Sequence, residues 1–219
     1  MKKTTGFMVL ALGFFAFCFT ASAQQTRKVA APPTIASVMN QQLGIVEQQF
    51  VSAAEAMPAD KYSFAPTSGN FKGVRTFAQE VKHVATVNYA FYSALLGQAP
   101  PPGVTANKEM NGPDSIRTKE QIMKYLKDSF AFAHKAISTI TARNATAVLS
   151  KPRIRRAGVP SFLNTRLALA SFGCTHAFDH YGQMVEYLRM NGITPPASQG
   201  QPPANPSAMI SVPRSSIPS

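Results

Sequence analysis

The chain holds two cysteines, Cys18 and Cys174, and no tryptophan. Cys18 lies in an N-terminal apolar run that reads as a removable leader, which leaves Cys174 alone. One cysteine cannot close an internal disulfide, so stability must come from a packed core. Nor does Cys18 read as a lipid-attachment site, because Phe17 stands where a small residue is expected. Acidic residues are also scarce: 10 Asp and Glu face 22 Lys and Arg, a formal charge of +12. Such an excess invites a nucleic-acid reading. Three absences oppose it: no tryptophan, no Gly-rich RNA-binding signature and no zinc-finger spacing. Apart from one cluster, Lys151 to Arg156, the basic residues are scattered. They fit a solvated surface facing an anionic envelope, and no nucleic-acid partner is expected.

Long apolar runs are scarce too. FMVLALGFFAFCF follows Lys2 and Lys3 and precedes TASA. A charged start, an apolar middle and an Ala-x-Ala end make the layout of a secretory signal peptide. The run is shorter than the ~20 residues that cross a bilayer. Residues 1–23 are therefore expected to be a signal peptide, cleaved after Ala23. The expected product is exported, periplasmic or secreted, with no stable membrane anchor after cleavage. Residues 24–32 read as a flexible segment. Residues 195–219 are rich in Pro and Ser, lack helical periodicity and read as a disordered tail.

No stretch alternates with a period of two, so no sheet is expected. Four segments instead carry apolar residues at helical spacing. The first runs from about Pro33 to Met57, with Ile35, Met39, Val46, Phe50, Ala53 and Met57 on one face. Pro33 suits a first turn, and Pro58 stops the helix. The second runs from about Val74 to Leu96, with Phe77, Val81, Val84, Phe91 and Leu95 in one stripe and Gly97 as terminator. The third opens on a capping box, Thr118 with Gln121, and buries Ile122, Leu126, Ala133, Ile137 and Ile140. The fourth runs from about Ser161 to Met190, with Asn191-Gly192 as its cap and Pro195 beyond. An all-α four-helix bundle over residues 33–194 is the simplest way to bury four stripes. Its connecting loops are long and do not by themselves settle the topology.

The chain has four histidines. Two of them, His176 and His180 in THAFDHYGQ, are spaced to share a helix face, about 40° and ~6 Å apart. Their imidazoles can therefore share one ion. The same spacing serves zinc in H-E-x-x-H, but Ala177 stands where that motif has its Glu, which removes the general base of a zinc protease. A catalytic metal commonly takes three protein ligands. A third is expected from a facing helix, with His83 leading and His134 competing. Three further side chains are candidates for supporting roles. Asp179 could accept the second ring N–H of a ligand histidine. Glu80, one turn before His83, could do likewise. Gln183 could orient a water or fill a buried polar gap. Gly173 leaves room for a ligand or for close helix approach. Asn88 falls mid-stripe and needs a partner across the bundle. Cys174 reads as a small buried hydrophobe.

Taken together, RTFAQEVKHVATVNY and THAFDHYGQMVEYLRMNGITPP resemble the DinB family. The H-x3-H-x-G-Q run with its LR-x-x-G ending is the most specific part, and AMPADKYSFAPTSG adds to it. The resemblance covers roughly residues 33 to 196. It implies a bundle of up-down-down-up topology with a divalent metal near one end of the core. It also implies His83, His176 and His180 as the ligands, with His134 matching no ligand position. Zinc, nickel, iron and manganese all suit imidazole. Related proteins include thiol-dependent transferases and isomerases and metal-dependent hydrolases. Export argues against a cytosolic thiol cofactor. The expectation is thus a metal-dependent enzyme of hydrolase or transferase type acting on a small molecule. Two alternatives stand beside it: a non-catalytic metal-binding or stress-related bundle, and a basic interaction module for envelope polymers. A homodimer is left open.

Overall fold

Each long helix begins where a threonine can cap it. Thr34, Thr76, Thr118 and Thr165 have extended backbones, and their side chains accept a hydrogen bond from the amide three residues on. In the first three, Ser37, Gln79 and Gln121 reach back to complete capping boxes. Each such cap satisfies an amide that the helix leaves open and contributes about 1 kcal/mol. The structure is a computed structural model that describes residues 32–104, 110–151 and 159–200. The expected signal peptide, residues 24–31 of the flexible segment, and residues 201–219 lie outside the described residues.

The helices are α1 (Ile35–Ala56), α2 (Phe77–Leu96), α3 (Lys119–Ile137) and α4 (Arg166–Met190). Their order agrees with the sequence, but three starts differ. Pro33 precedes the cap of α1 rather than occupying its first turn. Val74 is exposed and lies outside α2, which begins only after Thr76. α4 begins at Arg166 rather than Ser161, because Thr165 caps it. The backbone just before that cap is engaged elsewhere: Leu149 N donates to the Asn164 carbonyl at 2.7 Å, and Val148 and Thr165 form an isolated antiparallel bridge. No strand occurs among the described residues.

α1 and α2 each lie against both α3 and α4. Named contacts give the directions. Asn40, near the start of α1, meets His134 near the end of α3, and Glu55 meets Lys127. These two helices are antiparallel. Thr86 meets Tyr125, and Tyr89 meets Phe132, so α2 and α3 run parallel. Glu80 meets His180, and Tyr92 meets Ala170, so α2 and α4 are antiparallel. The bundle is therefore up-down-down-up. Phe50, Phe77, Tyr92, Leu126 and Phe130 fill its core. No helix among the described residues is long and apolar enough to cross a membrane.

α2 is buried well beyond one stripe. Every residue from His83 to Leu95 is buried. Part of its outer side is covered by the α2–α3 connection, where Lys82 Nζ donates to the Pro113 carbonyl at 2.7 Å. At the far end of the chain, Ile193 N returns to the Leu188 carbonyl across Gly192, whose φ is +71°. Residues 196–198 then form a short 3-10 turn against α1. The first residues of the expected tail, 195–200, therefore have a defined place beside the bundle.

Candidate metal centre

The antiparallel α2–α4 seam places Glu80 and His83 of one helix opposite His176 and His180 of the other. Three ring nitrogens converge there. His176 Nε2 lies 3.2 Å from His83 Nε2 and 3.2 Å from His180 Nε2. The three donor atoms lie within 4.8 Å of one another. Ligand nitrogens ~2.0 Å from a tetrahedral ion stand ~3.3 Å apart, which the two spacings to His176 Nε2 match.

The outer nitrogens explain why the inner ones point inward. His83 Nδ1 lies 3.0 Å from the Met110 carbonyl oxygen, which only accepts, so Nδ1 carries the proton. His180 Nδ1 lies 2.5 Å from Glu80 Oε2 and donates to that carboxylate. Both rings therefore direct an Nε2 lone pair into the triangle. A carbonyl or carboxylate on the far nitrogen is the usual way a ligand histidine is oriented. A proton on His176 Nε2 could serve only one of its two neighbours, and a cation would satisfy all three lone pairs. His176 Nδ1 is buried and has no hydrogen-bond partner among the described residues. The donor set and its spacing thus fit a divalent ion.

Electrostatics act in the same sense. Burial, then the Arg75 charge, lowers the pKa of His83 to about 4. Burial, then the neighbouring imidazoles, lowers that of His176 to about 3. Both rings are neutral near pH 7 and available as donors. Phe91 and Phe172 stand against the His176 ring and contribute apolar walls. A cleft of about 440 Å³ opens beside the site, with Arg75, Gln79, Glu80, Asn111 and Gln183 among its lining residues. Glu80 is shared: it lines the cleft and holds His180.

The remaining sequence candidates fall as follows. Asp179 is exposed and accepts from Gln183 Nε2 at 3.1 Å, so it takes the place of a surface partner, not of a histidine acceptor. The helix explains this: residue 179 is turned about 100° from residue 180, toward solvent. Gln183 is itself exposed at the cleft wall. His134 lies in the α1–α3 seam, bonded to Asn40 and Glu47. Gly173 serves helix approach: a Cβ there would stand 2.5 Å from the Tyr92 hydroxyl. Cys174 is buried, and burial pushes its thiol up to about 11. Asn88 Nδ2 reaches Ser129 Oγ at 3.3 Å, across to α3. Sequence reasoning missed the Met110 carbonyl and Arg75. Asn111-Gly112-Pro113 signals a turn, but nothing in it says where the turn docks.

Comparison with known proteins follows the same line. The sequence profile of the DinB superfamily matches residues 42–184. A solved structure described as a conserved protein from Enterococcus faecalis shares the fold, with a TM-score of 0.55 and 15% identity. The match covers 73% of this chain and 98% of that one. None of the curated proteins matches the chain. The chain belongs to the DinB superfamily.

Proposed function

We propose that this DinB-superfamily chain is an exported metal-dependent enzyme of hydrolase or transferase type. His83, His176 and His180 would hold one divalent ion, and a small molecule would enter through the adjoining cleft. The observation that carries the reading is the convergence of three ring nitrogens, with His176 Nε2 3.2 Å from the Nε2 of each of the other two, both of which are oriented from behind by fixed acceptors. The ion's contribution would be Lewis acidity, which acidifies water and polarises carbonyl or phosphoryl oxygens.

This chain's own residues supply the rest. Met110 and Glu80 hold two imidazoles in the donor tautomer. Phe91 and Phe172 limit water around His176. The cleft brings side-chain amides and the Arg75 charge near the site, groups that orient a polar substrate by hydrogen bonding. Among the described residues, the metal-competent group has three members, so a tetrahedral ion would retain a fourth position. That favours a catalytic over a purely structural ion. Zinc, nickel, iron and manganese all remain suited to three imidazoles. Export rests on the leader-like residues 1–23, and mature protein beginning at Gln24 would support it.

Cobalt-substituted protein is titrated with azide, and the visible spectrum is followed. A shift on azide binding supports an open position. A spectrum unmoved by azide contradicts the catalytic reading and leaves a structural metal.

A further inference from the structure

The α2–α3 connection does more than join two helices. Met110 has a φ of +49°, the only positive value at a non-glycine among the described residues. Such a conformation costs on the order of 1 kcal/mol or more and persists only where the surroundings impose it. Here the surroundings are visible. On one side, Arg75 Nε donates to Asn111 Oδ1 at 2.8 Å. On the other, Lys82 Nζ donates to the Pro113 carbonyl at 2.7 Å. Between them Gly112 has a φ of +77° and lies flat on α2. A Cβ there would stand 3.0 Å from Thr86 Oγ1 and 3.1 Å from Lys82 Cε. Glycine is thus needed twice, for the backbone angle and for the space.

What this segment holds in place is the Met110 carbonyl, 3.0 Å from His83 Nδ1. A neutral imidazole can carry its proton on either nitrogen, and the hydrogen bond made by one nitrogen decides the state of the other. Without the carbonyl, His83 would be free to put its proton on Nε2, which closes the lone pair to a cation. We infer that residues 110–113 are a positioning strap for His83, with Lys82 and Gly112 as its anchors. The inference rests on the metal-site reading above, but its central element, the tautomer of His83, exists without any metal.

The experiment compares full-length wild type with Lys82→Met, Lys82→Arg, Gly112→Ala and His83→Ala. Two quantities are measured: zinc affinity by competition with a chelator, and the imidazole ¹⁵N shifts of the metal-free proteins. Circular dichroism checks helix content. Lys82→Met keeps the aliphatic stem and serves if Gly112→Ala does not fold. The strap predicts that Lys82→Met and Gly112→Ala bind zinc about 10- to 100-fold more weakly, as loss of an orienting partner does elsewhere. It also predicts that their His83 signals move from the Nδ1–H form toward a mixture, and that Lys82→Arg stays close to wild type. If the Nδ1–H form persists unchanged in Lys82→Met and Gly112→Ala, the strap is overturned, whatever zinc does. If wild type and His83→Ala bind zinc equally, the metal reading fails, and the ¹⁵N shifts alone still decide for or against the strap.

Discussion

Two seams of this bundle contain histidine, and they are built to opposite ends. In the α1–α3 seam, His134 has both ring nitrogens engaged, Nδ1 at 2.8 Å from Asn40 Oδ1 and Nε2 at 3.0 Å from Glu47 Oε2. His134 and Glu47 are each about one-third exposed. In the α2–α4 seam, His83 and His180 are 8% and 6% exposed, and their outer nitrogens are held by a backbone carbonyl and a carboxylate. Their inner nitrogens face a third imidazole. A histidine between helices is therefore not in itself a metal ligand. What distinguishes the second seam is that its acceptors lie behind the rings and leave the lone pairs converging. The first seam spends both nitrogens on ordinary hydrogen bonds.

The same substitution in each seam tests that contrast. Glu80→Gln removes the carboxylate that fixes His180, and zinc affinity is expected to fall about 10- to 100-fold. Glu47→Gln is expected to leave zinc affinity unchanged. Equal losses would break the comparison.

The α2–α4 seam also depends on close approach. Gly173→Ala drives a methyl against the Tyr92 hydroxyl, 2.5 Å from the ideal Cβ position. Overpacking of this kind typically costs about 1–3 kcal/mol. A lowered urea midpoint is expected, with the zinc stoichiometry retained if the fold persists.

Acid should strain the α2–α4 seam. In metal-free protein, burial holds His83 near 4 and His176 near 3, below the ordinary ~6.5. Between those values the unfolded chain binds more protons than the folded one. Stability contributed by the neutral rings is full above pH ~6.5 and is lost as the pH falls toward 4 and then 3. Urea midpoints measured in chelator should therefore drop across that window, and less steeply in His176→Ala. An unchanged slope would argue that His176 is not held neutral by burial.

The smallest effect belongs to the α1–α3 seam. His134→Ala removes a partly exposed hydrogen-bonded pair and is expected to cost about 1 kcal/mol or less. Its zinc affinity should match wild type.

How much of this the sequence disclosed follows from which interactions are local. Helical spacing places Leu126, Ala133 and Ile137 on one buried face of α3, and Thr118 with Gln121 marks its start. The four-residue spacing of His176 and His180 is likewise a property of one helix. Partners across a seam are another matter. Periodicity put His83 at a stripe edge, yet α2 is buried almost all round, so an edge position carries little meaning there. The residue pattern ranks His83 ahead of His134, and the family resemblance, which matches His134 to no ligand position, strengthens that order. Of the two carboxylates that the sequence offers as acceptors, Asp179 faces solvent, and Glu80, placed one turn before His83, serves His180 on the opposite helix. The strap at Met110 depends on a loop docking onto α2, which no local pattern encodes. The start of α4 was misplaced for a related reason: the pairing of Leu149 with Asn164 is a contact between distant parts of the chain.

The most direct test of the central claim is a metal analysis of wild type beside His83→Ala, His176→Ala, His180→Ala and His134→Ala. One divalent ion per chain is expected in wild type and in His134→Ala. Loss of that ion is expected in each of the other three, with helix content preserved. Equal metal in all five proteins, or loss confined to His134→Ala, would contradict it.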